Sequence, residues 1–168
     1  VPYEPWQPGM RLTAGRLRSI SPTWSDWVPV WTTSTGVNTP SFGNAAVIAR
    51  FAQSALTVYW RMEITFGATT NFGGGGASDN WRFSLPVNAA ATSLIAGYGE
   101  ISDSSAGLGS RMGVRSRLTT ATTMEIEMAA GRIDSAAAAG VGLIDAASPW
   151  AWASGDTIRV FGEYEAAA

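Results

Sequence analysis

The sequence contains neither cysteine nor histidine. Those two absences exclude disulfides, thiolate and imidazole metal sites, Cys- or His-based nucleophiles and a histidine pH switch. Lysine is missing too: all 11 basic residues are arginine, set against 13 acidic ones for a formal net charge of -2. A P-loop needs a lysine, so Gly73-Gly74-Gly75-Gly76 reads as a loop tip and not as a phosphate cradle. The charge balance gives no pull toward nucleic acid or an anionic membrane. No apolar run approaches the ~18 residues that cross a bilayer. The stretch from Val1 to Trp6 is proline-rich and acidic, unlike a secretory signal. The expectation is therefore a soluble chain that needs no export signal of its own, with no nucleic-acid partner, no membrane insertion and no cofactor.

What is present is apolar and aromatic. The 168 residues suit one ordinary domain and a short arm, and 46% of them are hydrophobic, enough to fill a core. Eight are tryptophan, an excess that codon bias does not explain as readily as it explains the arginines.

Residues 1–22 read as an arm. Pro2, Pro5 and Pro8 fix φ at three-residue intervals and favour an extended chain. Thr13 is placed to cap a short helix whose apolar stripe includes Leu12, Leu17 and Ile20, and Pro22 stops it. Tyr3, Trp6, Met10, Leu12, Leu17 and Ile20 cannot be buried by the arm itself. They are the candidates for attachment or subunit contact, and the arm either packs on its own domain or docks on a neighbour.

From residue 23 to 168 the periodicity changes to two, the pattern of half-buried strands. Leu56, Val58, Trp60, Met62, Ile64 and Phe66 share one face, opposite Thr57, Tyr59, Arg61, Glu63 and Thr65. Ala45, Val47, Ala49 and Phe51 alternate before them, with Gln53-Ser54 as the expected turn. Further strands are expected over 24–33, 80–86, 94–101, 110–118, 122–129 and 157–164, giving about eight with no room for crossover helices. The expectation is an all-β, antiparallel β-sandwich or jelly roll with an extended N-terminal arm. Residues 134–147 fit either a short helix or a small-residue strand. Residues 111–118 and 123–128 should form a hairpin whose arginines and glutamates make a solvated ion-pair ladder.

Carboxylate pairs are the generic chemistry left. Glu63, Glu100, Asp103, Glu125, Glu127, Asp134 and Asp145 show no recognisable catalytic spacing, and Asp103-Ser104-Ser105 and Ser78-Asp79-Asn80 match no calcium loop. The expectation is a protein without catalytic or metal-binding residues. Trp60 and Trp81 fall on apolar strand faces and read as core. Trp24, Trp27 and Trp31 do not share one alternation register, so at least one should leave the main core. Trp27, Phe72, Gly74, Gly75, Trp150 and Trp152 are the surface-recognition candidates, for subunit contact or sugar stacking.

The runs Ala49-Arg50-Phe51, Leu56-Thr57-Val58-Tyr59-Trp60-Arg61-Met62, Phe66-Gly67-Ala68-Thr69-Thr70-Asn71-Phe72-Gly73 and Trp81-Arg82-Phe83-Ser84-Leu85-Pro86 resemble a β-rich domain of actinobacterial phage and prophage virion proteins of the tail-fibre and minor-tail type. The ending Gly155-Asp156-Thr157-Ile158-Arg159-Val160-Phe161-Gly162-Glu163-Tyr164-Glu165 and the opening Pro8-Gly9-Met10-Arg11-Leu12-Thr13-Ala14 are similar to those of such chains. The resemblance implies a non-enzymatic virion protein made in the host cytoplasm without a signal peptide, a homotrimer anchored to other phage structural proteins by its arm. Its β-sandwich would be displayed outward, toward a host cell-surface glycan for instance. The chain lacks a long shaft, which leaves a tail appendage, a head fibre or a capsid decoration protein open. A free carbohydrate-binding module and a small carboxylate hydrolase are the other readings.

Overall fold

The computed structural model describes residues 7–74, 79–106, 111–129 and 142–168, and the backbone alone of Arg18, Ser19 and Ile20. In chain order the elements are α1 (Ala14–Ile20), β1 (Ser25–Asp26), β2 (Trp31–Thr33), β3 (Ala46–Ser54), β4 (Thr57–Thr65), β5 (Trp81–Ser84), β6 (Ile95–Ser102), β7 (Arg111–Leu118), β8 (Thr123–Met128) and β9 (Thr157–Glu165). The nine strands form a sheet in the order β1-β3-β4-β9-β6-β7-β8-β5-β2, antiparallel at every pairing. No helix among the described residues is long and apolar enough to cross a membrane.

Connectivity requires this sheet to curl. β1 and β2 are its two edges, yet Asp26 ends one and Trp31 begins the other. A stretched link of that length reaches about 18 Å, whereas nine flat strands would hold their edges about 38 Å apart. The edges come closer still. Trp27 N–H donates to Ala49 O (3.0 Å) on the β3 side, while Ser84 N–H donates to Val30 O (2.9 Å) on the β5 side. Only Val28 and Pro29 step from one edge to the other, which is why the expected single strand over 24–33 is broken in two. Pro29 has no N–H to offer a ladder.

The concave face is the core. Trp60, Met62 and Ile64 of β4, Ile158 and Val160 of β9, Val114 and Leu118 of β7, Met124, Ile126 and Met128 of β8, and Trp81 and Phe83 of β5 are all buried there. Trp31 is the hub of the aromatic part: its ring centroid lies 5.1 Å from Phe42, 5.5 Å from Phe66, 4.8 Å from Trp81 and 5.8 Å from Phe83. Edge-on and offset pairs of this kind add about 0.5–1.5 kcal/mol each beyond burial. Trp31 thus carries the short edge strand β2 into the core.

Two local expectations need correction. The β3–β4 turn is Ala55-Leu56, not Gln53-Ser54, because Ser54 pairs with Thr57. Ala55 takes φ 53°, the left-handed conformation a two-residue hairpin turn asks of its first central residue. The β7–β8 hairpin forms as expected, but its ion pairs are not a solvated ladder. Glu125 and Glu127 are both buried. Glu125 accepts from Arg82 Nε (2.7 Å), and Glu127 is held by Arg115 and accepts from Arg117 Nη2 (3.2 Å). Leu143 bridges to Glu127 from the far side, so β8 is flanked for its whole length. Residues 130–141, most of the stretch whose structure the sequence left open, lie outside the described residues.

Candidate functional site

The arm candidates divide by position. Tyr3 and Trp6 lie outside the described residues, as does the side chain of Ile20, the last residue of α1. Thr13 does cap α1: its Oγ1 accepts from Arg16 N–H (3.3 Å) and its carbonyl from Leu17 N–H (3.0 Å). Met10 is half-buried, its sulfur 3.1 Å from Gln7 N. Leu12 (61%) and Leu17 (47%) present their side chains to solvent.

The ring candidates at the loops turn inward. Trp152 is only 7% exposed and its indole donates to Asp145 O (2.9 Å), so it is a core residue and offers no open ring face. Trp150 lies half-buried on it at 5.1 Å. Phe72 stands 5.0 Å from Phe66 and 6.1 Å from Trp81, and Trp27 meets Trp60 edge-on at 6.3 Å. Gly74 is half-buried beside this cluster, and Gly75 lies outside the described residues. The tryptophan excess is thus spent largely on the core. Trp24, at 43%, is the member of the 24–31 group that leaves it.

Three buried aspartates at the loops are occupied structurally. Asp145 Oδ1 accepts from the N–H groups of Ala147 (2.7 Å) and Ser148 (2.8 Å). Asp156 accepts from Ser104, Trp150 and Ala153. Asp79 accepts from Thr35 N–H (2.9 Å), Thr35 Oγ1 (2.7 Å) and Asn38 Nδ2 (3.1 Å). Burial by itself would raise the Asp79 carboxyl. Its hydrogen bonds from Thr35, Thr33 and Asn38 outweigh that and hold it well below the usual carboxylate range.

A folded-state value below the unfolded one means the unfolded chain binds the proton more readily. The stabilisation is then complete above about pH 4 and lost as pH falls toward the folded value. Urea melts of the wild type and Asp79→Asn from pH 7 down to pH 3 should therefore show a gap between the two midpoints that narrows below about pH 4. A gap independent of pH would refute this role. Among the described residues, no three or more acidic side chains converge as a metal site would require.

The exposed rings are elsewhere, on the convex face of the sheet. Phe161 (65%) and Tyr98 (61%) are direct cross-strand partners on β9 and β6, and Tyr59 (38%) lies one strand over on β4. In their row, Arg61 faces Phe161 on its other side. Two residues along the strands runs a second row, Glu63-Arg159-Glu100. Arg159 Nη1 donates to Glu100 Oε1 at 3.1 Å, and Arg61 Nη1 lies 3.6 Å from Glu63 Oε1. Arg61, Phe161 and the Glu63-Arg159-Glu100 row line an open groove of about 610 Å³, and Tyr98 stands beside it as the cross-strand partner of Phe161. Sequence reasoning placed Tyr59 and Phe161 on the polar side of their strands but drew nothing from it. An aromatic ring in the polar phase of an alternating strand was the available signal.

No protein-family model, curated protein or solved structure matches this chain.

Proposed function

We propose that this chain is a non-enzymatic structural protein of a phage particle, a homotrimer anchored to the particle by its N-terminal arm. In this reading residues 1–22 anchor the protein and residues 23–168 form a sandwich- or jelly-roll-like body displayed outward, as a tail appendage, fibre or receptor-binding head. A capsid decoration or head-fibre role is the alternative placement. The observation that carries it is the arm itself: Leu17 stands on a capped helical turn and Leu12 just ahead of its cap, both with their side chains in solvent. A groove on a second copy or on a neighbouring protein would bury them, at about 0.8 kcal/mol for each methylene removed from water. The virion placement draws on the resemblance of the runs at 49–86 and 155–165 to phage tail proteins.

Native mass spectrometry of the whole chain tests the assembly. The expected result is three times the chain mass, with the double substitution Leu12→Ser and Leu17→Ser shifting the population to monomer. A monomer unchanged by concentration would overturn it. Immunogold labelling of purified particles tests the placement, with label on tails or on capsids deciding between the two sites.

A further inference from the structure

We infer that the convex face of β4, β9 and β6 is a binding site for a neutral oligosaccharide, with Phe161 and Tyr98 as its stacking floor. This goes beyond the assembly proposed above, since it holds for a monomer as well as for a trimer.

The spacing supports a chain of sugar rings. Phe161 and Tyr98 sit directly opposite each other on neighbouring strands, and Tyr59 lies diagonally beyond Phe161. The three rings span two strand spacings, about 10 Å, which is about the length of a disaccharide unit. An aromatic ring laid open on a sheet presents a flat apolar surface to the C–H face of a pyranose. Its neighbours must then meet the hydroxyls on the sugar's rim. The Glu63-Arg159-Glu100 row runs two residues from Phe161 and Tyr98, about 7 Å along the strands, within reach of those hydroxyls.

Charge narrows the ligand. Arg61, Arg159, Glu63 and Glu100 sum to zero, each of the two guanidiniums already has a carboxylate partner, and exposed Glu163 opposite Tyr59 adds one negative charge. Arg50 and Arg115, at the two ends of the aromatic row, are likewise paired with Asp26 and Glu127. Such a face offers donors and acceptors together but no net field for a polyanion, so nucleic acid and acidic glycans gain nothing there. A protein partner fits less well too. Interface cores are depleted of charge, whereas here charged side chains flank the rings and remain a third or more exposed.

The test uses the full chain on an array of neutral hexose and N-acetylhexosamine oligosaccharides, followed by calorimetry on the best binder. The expected result is binding that changes less than threefold between low and high salt. Phe161→Ala and Tyr98→Ala, both at exposed positions, should weaken it at least tenfold while leaving the circular dichroism spectrum and oligomeric mass unchanged. Three outcomes would overturn the inference: no neutral oligosaccharide bound, binding retained by both variants, or protection of Tyr98 from tyrosine-directed labelling in the sugar-free protein because another copy covers it. A monomer that still binds sugar through these rings would refute the trimer and leave this site standing.

Discussion

Asp156→Asn is expected to destabilise the protein by about 3 kcal/mol, through lost charge-assisted hydrogen bonds and newly opposed donors. Asp156 is fully buried, just ahead of the start of β9. Its Oδ1 accepts from Ser104 N–H (2.8 Å) and Ser104 Oγ (2.9 Å), and its Oδ2 from Ala153 N–H (2.8 Å) and Trp150 Nε1 (3.2 Å). Four donors thus converge on two oxygens. An asparagine has one oxygen, so whichever way it turns its amide nitrogen must face at least one N–H donor, since of the four groups only the Ser104 hydroxyl can also accept. Only a carboxylate satisfies all four. The expected reading is a lower urea midpoint with an unchanged slope, together with altered tryptophan fluorescence as the Trp150 indole loses its acceptor. A loss below about 1 kcal/mol would show that these loops are held by their backbone pairing alone, such as Phe66 N–H to Asp156 O at 2.9 Å.

That carboxylate was invisible in the sequence for a physical reason. Asp156 and Ser104 are 52 residues apart, and Asp79 and Thr35 are 44 apart. No local pattern announces which loop will bring its N–H groups to a given aspartate. The strands were legible because their signal is local: β4 alternates buried and exposed just as its residue types alternate. Where both faces of a strand are covered, that inference fails, as it did for Glu125 and Glu127. Burying them required arginines from β5 and β7, and β5 is remote in sequence. Proline at 29 separated two strands that alternation had joined. The aromatic residues misled in a consistent way. Tryptophans at loops looked like recognition surfaces but fill the interior, while the open rings of Tyr59, Tyr98 and Phe161 sit mid-strand among charges.

Gly162→Ala is expected to cost more than the asparagine exchange, beyond about 3 kcal/mol, and to abolish the cooperative fold. β6 and β9 approach so closely that a Cβ on Gly162 would collide with Ala96 O and with the Cα of Gly97, both backbone atoms that cannot swing away. Gly99→Ala meets the same obstacle from the other strand, against Arg159 O and the Cα of Val160. On Gly97 a Cβ would also reach within 2.9 Å of Trp60 Cζ2, an indole that lies across these strands and donates to Ala96 O at 3.2 Å. A register shift between Ile95 and Gly97 adds an extra residue at the same place. The bare strands and the bulge together let a wide sheet bend sharply enough for Val28 and Pro29 to join its edges. Gly113→Ala on β7 is the control: its Cβ would meet Ala129 Cβ at 3.9 Å, an ordinary contact, and the substitution should be neutral or stabilise by up to about 1 kcal/mol. If Gly162→Ala melts like the wild type, the curl has another origin. The convex face would feel the same change, since Phe161 precedes Gly162 and Tyr98 lies between Gly97 and Gly99. The bend that closes the core is also what splays those two rings outward.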